Sequence, residues 1–193
     1  MATTPFPYKI ISGGQTGADR AGLDFAIAAG LEHGGHCPAG RRCEDGEIPP
    51  QYNMIETPDW RYRTRTILNV QNADVTIVFN AGTVISPGSG LTLSACKSHQ
   101  KPVLLLKGFD LQASPVEQHA MDILAFLARH RPAVMNIAGN REVTTPGIAA
   151  HVVGALRRVR ELALTGPVVA AAPPATEAPL PVSATPVQGR LFL

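Results

Sequence analysis

A glycine-rich loop near the start of the chain constrains the fold more than any other feature. An apolar strand ends at Ile11, residues 12–17 include three glycines, and a helix is predicted over residues 16–29. Glycine tolerates positive φ angles and lets a ligand approach the main chain, and the N–H groups at the start of a helix attract anions. The loop therefore predicts a phosphate site, with a plain tight turn between strand and helix as the alternative.

The same pattern occurs again after a second apolar strand, which is predicted over residues 74–79. A loop rich in glycine and serine follows this strand and leads into a helix predicted over residues 89–99. Two such loops leave a parallel sheet at the same carboxyl edge, where open α/β sheets bind their ligands. We therefore predict one crevice with two glycine-rich walls that share a single anion. Hydroxyl groups suited to phosphate or ribose oxygens are those of Ser86, Ser89 and Thr92.

Charged side chains follow another short predicted strand, over residues 31–36. Arg41 and Arg42 could bind an oxyanion through bidentate guanidinium contacts. Glu44 and Asp45 could orient these arginines or accept from the amino or hydroxyl groups of a ligand. The alternative is a solvated turn whose exposed ion pairs contribute little to stability.

Three further arginines, Arg61, Arg63 and Arg65, add positive charge to a segment that can form a helix. They cannot all face one site if the segment is helical, because residues two apart do not share a helix face. Arg63 is the member of this group that we include in the predicted site. Either Arg41 or Arg63 would neutralise a bound phosphate.

Composition predicts one α/β domain and disfavours several other classes. With 193 residues and 45% apolar content, the chain can bury one full core and not two. A net charge of +2 does not favour direct binding to nucleic acid, and no apolar run is long enough to span a membrane. No secretory signal is predicted. Three cysteines without framework spacing are typical of a reduced cytoplasmic protein, and their spacing to the nearby histidines fits no metal site.

Strands and helices alternate along the rest of the chain. Residues 101–106 form an unbroken apolar run that is typical of a buried parallel strand, and residues 133–137 form the last strand. A final amphipathic helix ends before Gly166. This alternation predicts a doubly wound α/β fold with about five parallel strands and helices on both faces. We assign residues 1–165 to this single domain.

Five segments of the chain together indicate a family. They are GGQTGADR at residues 13–20, CPAGRRCEDG at 37–46, YRT at 62–64 with Asn69 and Asp74, SPGSGLT at 86–92 and NIAGNRE at 136–142. These segments closely resemble the molybdenum carrier family, and the match covers roughly residues 8–164 in order. That family is similar in turn to the Rossmann-like superfamily that includes the LOG and DprA proteins.

The resemblance implies a Rossmann-like protein that holds molybdenum cofactor, or molybdopterin, a pterin with a phosphate group, and protects it or passes it on. A nucleotide is the alternative ligand. The phosphate would lie on the amides of both glycine-rich loops, and the pterin edge would contact Asp19, Asn140 or the carboxylates of residues 37–46. Family members are oligomeric, so a homodimer or homotetramer is expected. The predicted ligand-binding residues are Gly13, Gly14, Gln15, Thr16, Gly17, Asp19, Arg20, Arg41, Glu44, Asp45, Arg63, Pro87, Gly88, Ser89, Gly90, Thr92 and Asn140.

No catalytic residues are predicted, because binding alone requires no nucleophile and no convincing triad is present. The alternative is an enzyme that resembles the LOG phosphoribohydrolases, whose motif PGGxGTxxE carries a catalytic glutamate. Residues 87–92 match the glycine part of that motif, but residues 93–97 contain no carboxylate. Asp19, Glu44 or Glu142 could take the place of the glutamate from another loop.

The last segment, residues 166–193, is rich in Ala, Pro, Val and Thr and poor in charge, which predicts a disordered tail. It finishes with QGRLFL at residues 188–193. Gln188 followed by Leu191 and Phe192 resembles the short peptide with which bacterial DNA polymerases and repair proteins dock on the sliding clamp, so a clamp contact is one hypothesis. The alternative is that these apolar residues pack against the domain or a neighbouring subunit.

Overall fold

The computed structural model describes residues 6–112 and 116–165, which form an α/β fold around a parallel sheet. The strands are β1 (Lys9–Ile11), β2 (Glu32–Cys37), β3 (Arg42–Cys43), β4 (Gly46–Glu47), β5 (Met54–Glu56), β6 (Val75–Asn80), β7 (Val103–Lys107) and β8 (Val134–Gly139). The helices are α1 (Ala18–Ala28), α2 (Tyr62–Asn72), α3 (Pro87–Ser98), α4 (Val116–His130) and α5 (Ile148–Thr165). The predicted doubly wound α/β class is confirmed. The predicted tail and its QGRLFL segment lie outside the described residues.

The main sheet contains six strands in the order β5-β2-β1-β8-β6-β7, and every neighbouring pair is parallel. β8, the last described strand along the chain, therefore lies at the centre of the sheet between β1 and β6. Central parallel strands are covered on both faces, and all six residues of β6 are buried. Because β8 lies between β1 and β6, the loop after β8 separates the two glycine-rich loops.

The sheet has one more strand than the predicted five. β5 contains only three residues, and its middle residue, Ile55, is exposed, so the segment lacks the apolar run by which a buried strand is recognised. Short edge strands of this kind limit unwanted pairing with other chains. The two-residue strands β3 and β4 form a separate antiparallel hairpin within the predicted charged loop.

The helices form two groups. α1 and α4 both pack against α5 over the main core, whereas α2 packs against α3. The main core contains large, fully buried side chains from the central strands, such as Phe79 and Ile137, each of which contributes about 1.5–3 kcal/mol through burial. This packing fixes the carboxyl ends of β1, β8 and β6. None of the described helices has the length and hydropathy of a membrane span.

Two helices begin at positions that differ from those predicted. α1 begins at Ala18 instead of residue 16, because Gly17 has φ 78° and ψ −130°, outside the helical region. α3 begins at Pro87 instead of residue 89, because Ser86 is its N-cap and accepts a hydrogen bond from the Ser89 amide. Proline is favoured at the first helical position, since its missing N–H would have no partner there.

Candidate functional site

Three loops meet at the carboxyl edge of the sheet. We call residues 12–17 after β1 the first loop, residues 81–86 after β6 the second loop, and residues 140–147 after β8 the third loop. Asn140 joins them, because its main-chain carbonyl accepts from the Ala18 amide at 3.0 Å and its side-chain oxygen accepts from the Ala81 amide at 2.7 Å. The first and second loops thus lie on either side of the third loop.

A cleft of about 270 Å³ lies between the start of α3 and the third loop. Its lining residues are Ser86, Pro87, Gly88, Gly139, Asn140, Arg141 and Thr144. Among the described residues, this lining includes none from the first loop. The two walls of this cleft are the α3 start and the third loop, and the sharing of one anion between both glycine-rich segments stays a prediction.

Asn80, the last residue of β6, shapes the second loop. It is fully buried, and its side chain donates to the carbonyls of Gly82 at 2.7 Å and Val84 at 3.1 Å. Its side-chain oxygen accepts from the Ser86 amide at 3.0 Å. These bonds hold Ser86 at the start of α3. Asn80 is absent from the predicted site, although a polar residue that ends a buried apolar strand is a signal that could have found it.

Of the three hydroxyl groups predicted as donors, only that of Ser86 lines the cleft. Ser89 is buried, and its hydroxyl lies 2.9 Å from that of Ser86. Thr92 is also buried and donates to the Gly88 carbonyl at 3.1 Å, so its hydroxyl bonds its own helix. Gly90 donates to the Ser86 carbonyl at 2.8 Å. The Gly88 amide lies in the first turn of α3, where N–H groups lack an acceptor within the helix and attract anions.

A carboxylate of the chain itself fills the first loop. Asp19 is only 4% exposed, and its carboxylate accepts a hydrogen bond from Arg65 Nη1. Arg65 of α2 pairs with this carboxylate at 3.2 Å. Burial raises the pKa of Asp19, and the charge of Arg65 opposes that shift. Asp19, which was predicted to contact a ligand, thus has an internal partner.

The glycines of the first loop permit close internal contacts. A Cβ at Gly13 would lie 1.8 Å from Nη1 of Arg65, so the guanidinium lies directly on the main chain there. Gly17 has φ 78°, and a Cβ there would lie 2.4 Å from the Asn140 carbonyl oxygen. The Gly14 amide donates to the Ser12 hydroxyl at 3.2 Å. In this arrangement the glycines serve internal packing.

Gln15 and Arg20 attach the β3-β4 hairpin to the first loop. The Gln15 side chain accepts from the Glu44 amide and donates to the Arg42 carbonyl, both at 3.3 Å. Arg20 binds the two carboxylate oxygens of Asp45 at 2.5 and 3.0 Å. This bidentate pair holds the pKa of Asp45 well below its usual range. Arg20 and Asp45 are therefore each other's internal charge partner in the structure.

The arginines predicted to neutralise a phosphate lie elsewhere. Arg41 donates to three main-chain carbonyls within residues 48–52, at 2.8, 2.8 and 3.0 Å. It supports that segment of the chain, and we leave it out of the proposed ligand site. Arg63 is exposed on α2, and Arg65 of the same helix contacts the first loop instead. The helical spacing of these arginines explains why they face different neighbours.

Arg141 is the most important residue that is absent from the predicted site. It lines the cleft, and its Nη1 lies 3.4 Å from Glu44 Oε2. Its guanidinium carbon lies 5.5 Å from the centroid of the Tyr62 ring. Glu44 also accepts from the hydroxyl of Thr16. We call Thr16, Glu44, Tyr62 and Arg141 the Arg141 edge of the cleft. The signal for Arg141 was its position, two residues after the end of β8 at the ligand-binding edge of the sheet.

The three carboxylates considered for hydrolysis differ in their surroundings. Asp19 is paired with Arg65 in the first loop. Glu142 accepts from the amides of Gly147 at 2.5 Å and Ala149 at 3.0 Å, so it caps the start of α5. Glu44 is the one of the three that contacts a cleft-lining side chain. Within the described part of the chain, no group of three or more His, Cys, Asp or Glu is placed to hold a metal ion.

The parallel sheet and the cleft at its carboxyl edge define a Rossmann-like α/β protein. Residues 10–160 match the family described as circularly permutated YpsA SLOG, and the chain belongs to this family. The central position of β8, the last described strand along the chain, is in keeping with a permuted strand order.

A solved structure has the same fold. The crystal structure of a "putative molybdenum carrier protein" from Syntrophus aciditrophicus SB has 38% sequence identity to this chain and a TM-score of 0.75. The alignment covers 80% of this chain and 96% of that chain. No curated protein matches the chain. The resemblance found in the sequence is confirmed by both the family and the solved structure.

Proposed function

We propose that this protein binds a phosphorylated small molecule in the cleft and carries or protects it, and that the molecule is molybdenum cofactor. The observation that carries this proposal is the presence of Gly88, in the first turn of α3, and of Arg141 in the lining of one cleft. Helix N-terminal amides and guanidinium groups are typical phosphate-binding groups in proteins. The cargo would be bound and released intact.

The cleft suits the phosphate end of such a ligand. Its volume of about 270 Å³ lies just below the ~300–1,000 Å³ typical of small-molecule pockets, so the rest of the ligand would extend beyond it. The Ser86 hydroxyl and the Gly88 amide would donate to phosphate oxygens, and Arg141 would neutralise their charge.

The Arg141 edge suits the flat pterin ring. Tyr62 provides an aromatic surface, and the guanidinium carbons of Arg141 and Arg65 lie 5.5 and 6.0 Å from the centroid of its ring. Planar polar rings stack on aromatic and guanidinium planes. Glu44 would accept hydrogen bonds from N–H groups at the pterin edge. The phosphate and the ring would then be held by neighbouring parts of one site.

Two further observations favour a carrier. The protein from Syntrophus aciditrophicus SB, which is 38% identical to this chain, is named a putative molybdenum carrier, and this supports a molybdenum-containing cargo over an unrelated phosphate ester. Binding and release require no nucleophile or general base, and two of the three candidate carboxylates, Asp19 and Glu142, already have internal partners.

A nucleotide N-glycosidase is the second candidate. Glu44 supports it, because this carboxylate contacts Arg141 at the cleft and could act as a general acid or base on a bound nucleotide. The glutamate of the LOG motif has no counterpart in residues 93–97, so the hydrolase would need Glu44 in that role.

Mass spectrometry of the ligand released from freshly purified protein, together with metal analysis, tests the proposal. We expect a phosphorylated pterin and molybdenum in the wild type and loss of both in Arg141→Ala. A nucleotide in the released material would contradict the choice of cargo.

The second candidate function is tested by incubating nucleoside monophosphates with the protein, and we expect no free base. Base release that disappears in Glu44→Gln would replace the carrier by the enzyme.

A further inference from the structure

The first loop has the sequence of a phosphate site, but a carboxylate occupies its interior. In doubly wound proteins the loop after the first strand receives the pyrophosphate of a dinucleotide. Here Asp19, the second residue of α1, pairs at 3.2 Å with Arg65, whose guanidinium lies against the main chain at Gly13. An internal anion therefore lies against the groups that would otherwise receive a second phosphate.

We propose that Asp19 determines specificity by closing the first loop to phosphate, so that the protein accepts ligands with one phosphate group and rejects diphosphates and dinucleotides. This inference deepens the proposed function and rests on it for the phosphate bound in the cleft. The first loop lies next to that cleft, because the Asn140 carbonyl accepts from the Ala18 amide at 3.0 Å while Asn140 itself lines the cleft.

Arg65 holds the Asp19 carboxylate in this position. The side chains of Asp19 and Arg65 are only 6% and 13% exposed, and they pair at 3.2 Å. Gly13 lets the guanidinium lie on the main chain of the loop, where any Cβ would collide with it. Each charge of this buried pair compensates the other, so removal of one partner would leave the other buried and uncompensated.

The same geometry explains why the loop would bind an anion without Asp19. Truncation of its side chain would leave the buried Arg65 cation, which lies against the main chain of the loop, without its counter-ion. The Nε atom of Arg65 is buried without a hydrogen-bond partner among the described residues, so the guanidinium has an additional donor for such an anion. A phosphate ion would replace the lost carboxylate.

Equilibrium dialysis with radiolabelled inorganic phosphate tests the proposal by counting ions bound per chain. We expect one phosphate in the wild type and two in Asp19→Ala. In the double variant Asp19→Ala/Arg65→Gln we expect one again, because the buried cation has been removed. No gain in Asp19→Ala, or two phosphates already in the wild type, would overturn the proposal.

The count also separates this inference from the proposed function. No phosphate in the wild type and one in Asp19→Ala would support closure of the first loop and contradict the phosphate site in the cleft.

If Asp19→Ala does not fold, a second measurement on the wild type still tests closure of the first loop. The wild type should bind pyrophosphate and phosphate with affinities within about threefold of each other. A preference for pyrophosphate of about tenfold or more, the value of one charge-assisted hydrogen bond, would overturn closure.

Discussion

Arg141 contacts a carboxylate and an aromatic ring in the structure, and the proposed phosphate would compete with the carboxylate for its guanidinium. In the structure its guanidinium contacts Glu44 at 3.4 Å and lies over Tyr62, while its side chain remains 44% exposed. A partly exposed ion pair of this kind contributes little to stability. The guanidinium is therefore free to turn to a phosphate at small cost.

Replacement of Arg141 by alanine should weaken binding of a phosphorylated pterin about 10- to 100-fold, the value of one charge-assisted hydrogen bond to a partly buried anion. Isothermal titration calorimetry measures the change. Arg157→Ala is the matched control, because Arg157 is exposed on α5 and does not line the cleft. Equal affinities for the two variants would remove Arg141 from the site.

Replacement of Arg41 by alanine should lower stability and leave ligand affinity unchanged. The three carbonyls that it binds within residues 48–52 would lose their donor, at a cost of about 1–3 kcal/mol in the free energy of unfolding. Urea unfolding measures this loss, with the exposed neighbour Arg42→Ala as the control. A loss of affinity without a loss of stability would restore the predicted phosphate contact.

Arg41 and Arg141 show what residue types can and cannot predict. A guanidinium beside a glycine-rich sheet edge predicts an anion contact, but main-chain carbonyls are equally good partners. The sequence does not say which partner lies nearer, because that depends on how the hairpin and residues 48–52 fold. Asp19 is a similar case, since its internal partner Arg65 is 46 residues away in the sequence.

At the scale of elements, the contact between α1 and the third loop depends on Gly17. Its φ of 78° is costly for other residues, and a Cβ there would lie 2.4 Å from the Asn140 carbonyl oxygen. Gly17→Ala should lower the free energy of unfolding by at least about 2 kcal/mol.

Thermal or urea unfolding measures this loss, and Gly30→Ala is the matched control. Gly30 has a similar φ of 68°, but nothing lies within 4 Å of a Cβ placed there. The control should therefore cost only the backbone term, about 1–2 kcal/mol. A Gly17→Ala variant that is as stable as Gly30→Ala would show that the close approach is unimportant.

The elements differ in how well their patterns predicted them. The apolar runs of β6 and β7 have clear local signals, whereas the Ser86 cap that starts α3 was missed. β5 has no such signal, because it contains only three residues and its place in the sheet depends on pairing with β2. Asn69 shows the same limit, since its side chain bonds both main-chain groups of His36 across 33 residues of sequence.

At the scale of the whole molecule, α4 and α5 are joined by a pair of histidines whose protonation depends on pH. His119 of α4 and His151 of α5 lie 2.8 Å apart at their ring nitrogens, and the Phe109 ring stacks on His151. Burial lowers the pKa of both histidines below 6.5, and Asp122 only partly opposes this at His119. The pair is therefore stable in its neutral form.

The free energy of unfolding should fall as the pH decreases below about 6.5. The unfolded chain then takes up protons that the folded pair resists, so protonation favours unfolding. Chemical unfolding from pH 7 to pH 5.5 measures this slope, which should be smaller in His119→Gln than in the exposed control His99→Gln. Equal slopes in the two variants would contradict the role of the pair.

The strand order of the whole sheet lies beyond what local patterns predict. The alternation of strands and helices indicated a parallel α/β fold, but β8 inserts between β1 and β6 through pairings across many residues. That insertion separates the two glycine-rich loops and puts Arg141 into the cleft.

The homo-oligomer and the clamp contact of the tail stay predictions. Size-exclusion chromatography tests the first, and a pull-down with purified clamp tests the second.

The central claim, a phosphate held between the start of α3 and the third loop, is tested most directly by nuclear magnetic resonance. The amide signals of isotope-labelled protein are followed while a phosphorylated pterin is added. We expect the largest shifts at Gly88, Ser89 and Arg141, and much smaller shifts at Gly13 and Gln15 of the first loop, beside the internal pair of Asp19 and Arg65. Shifts confined to the first loop, or to surfaces away from the cleft, would contradict the claim.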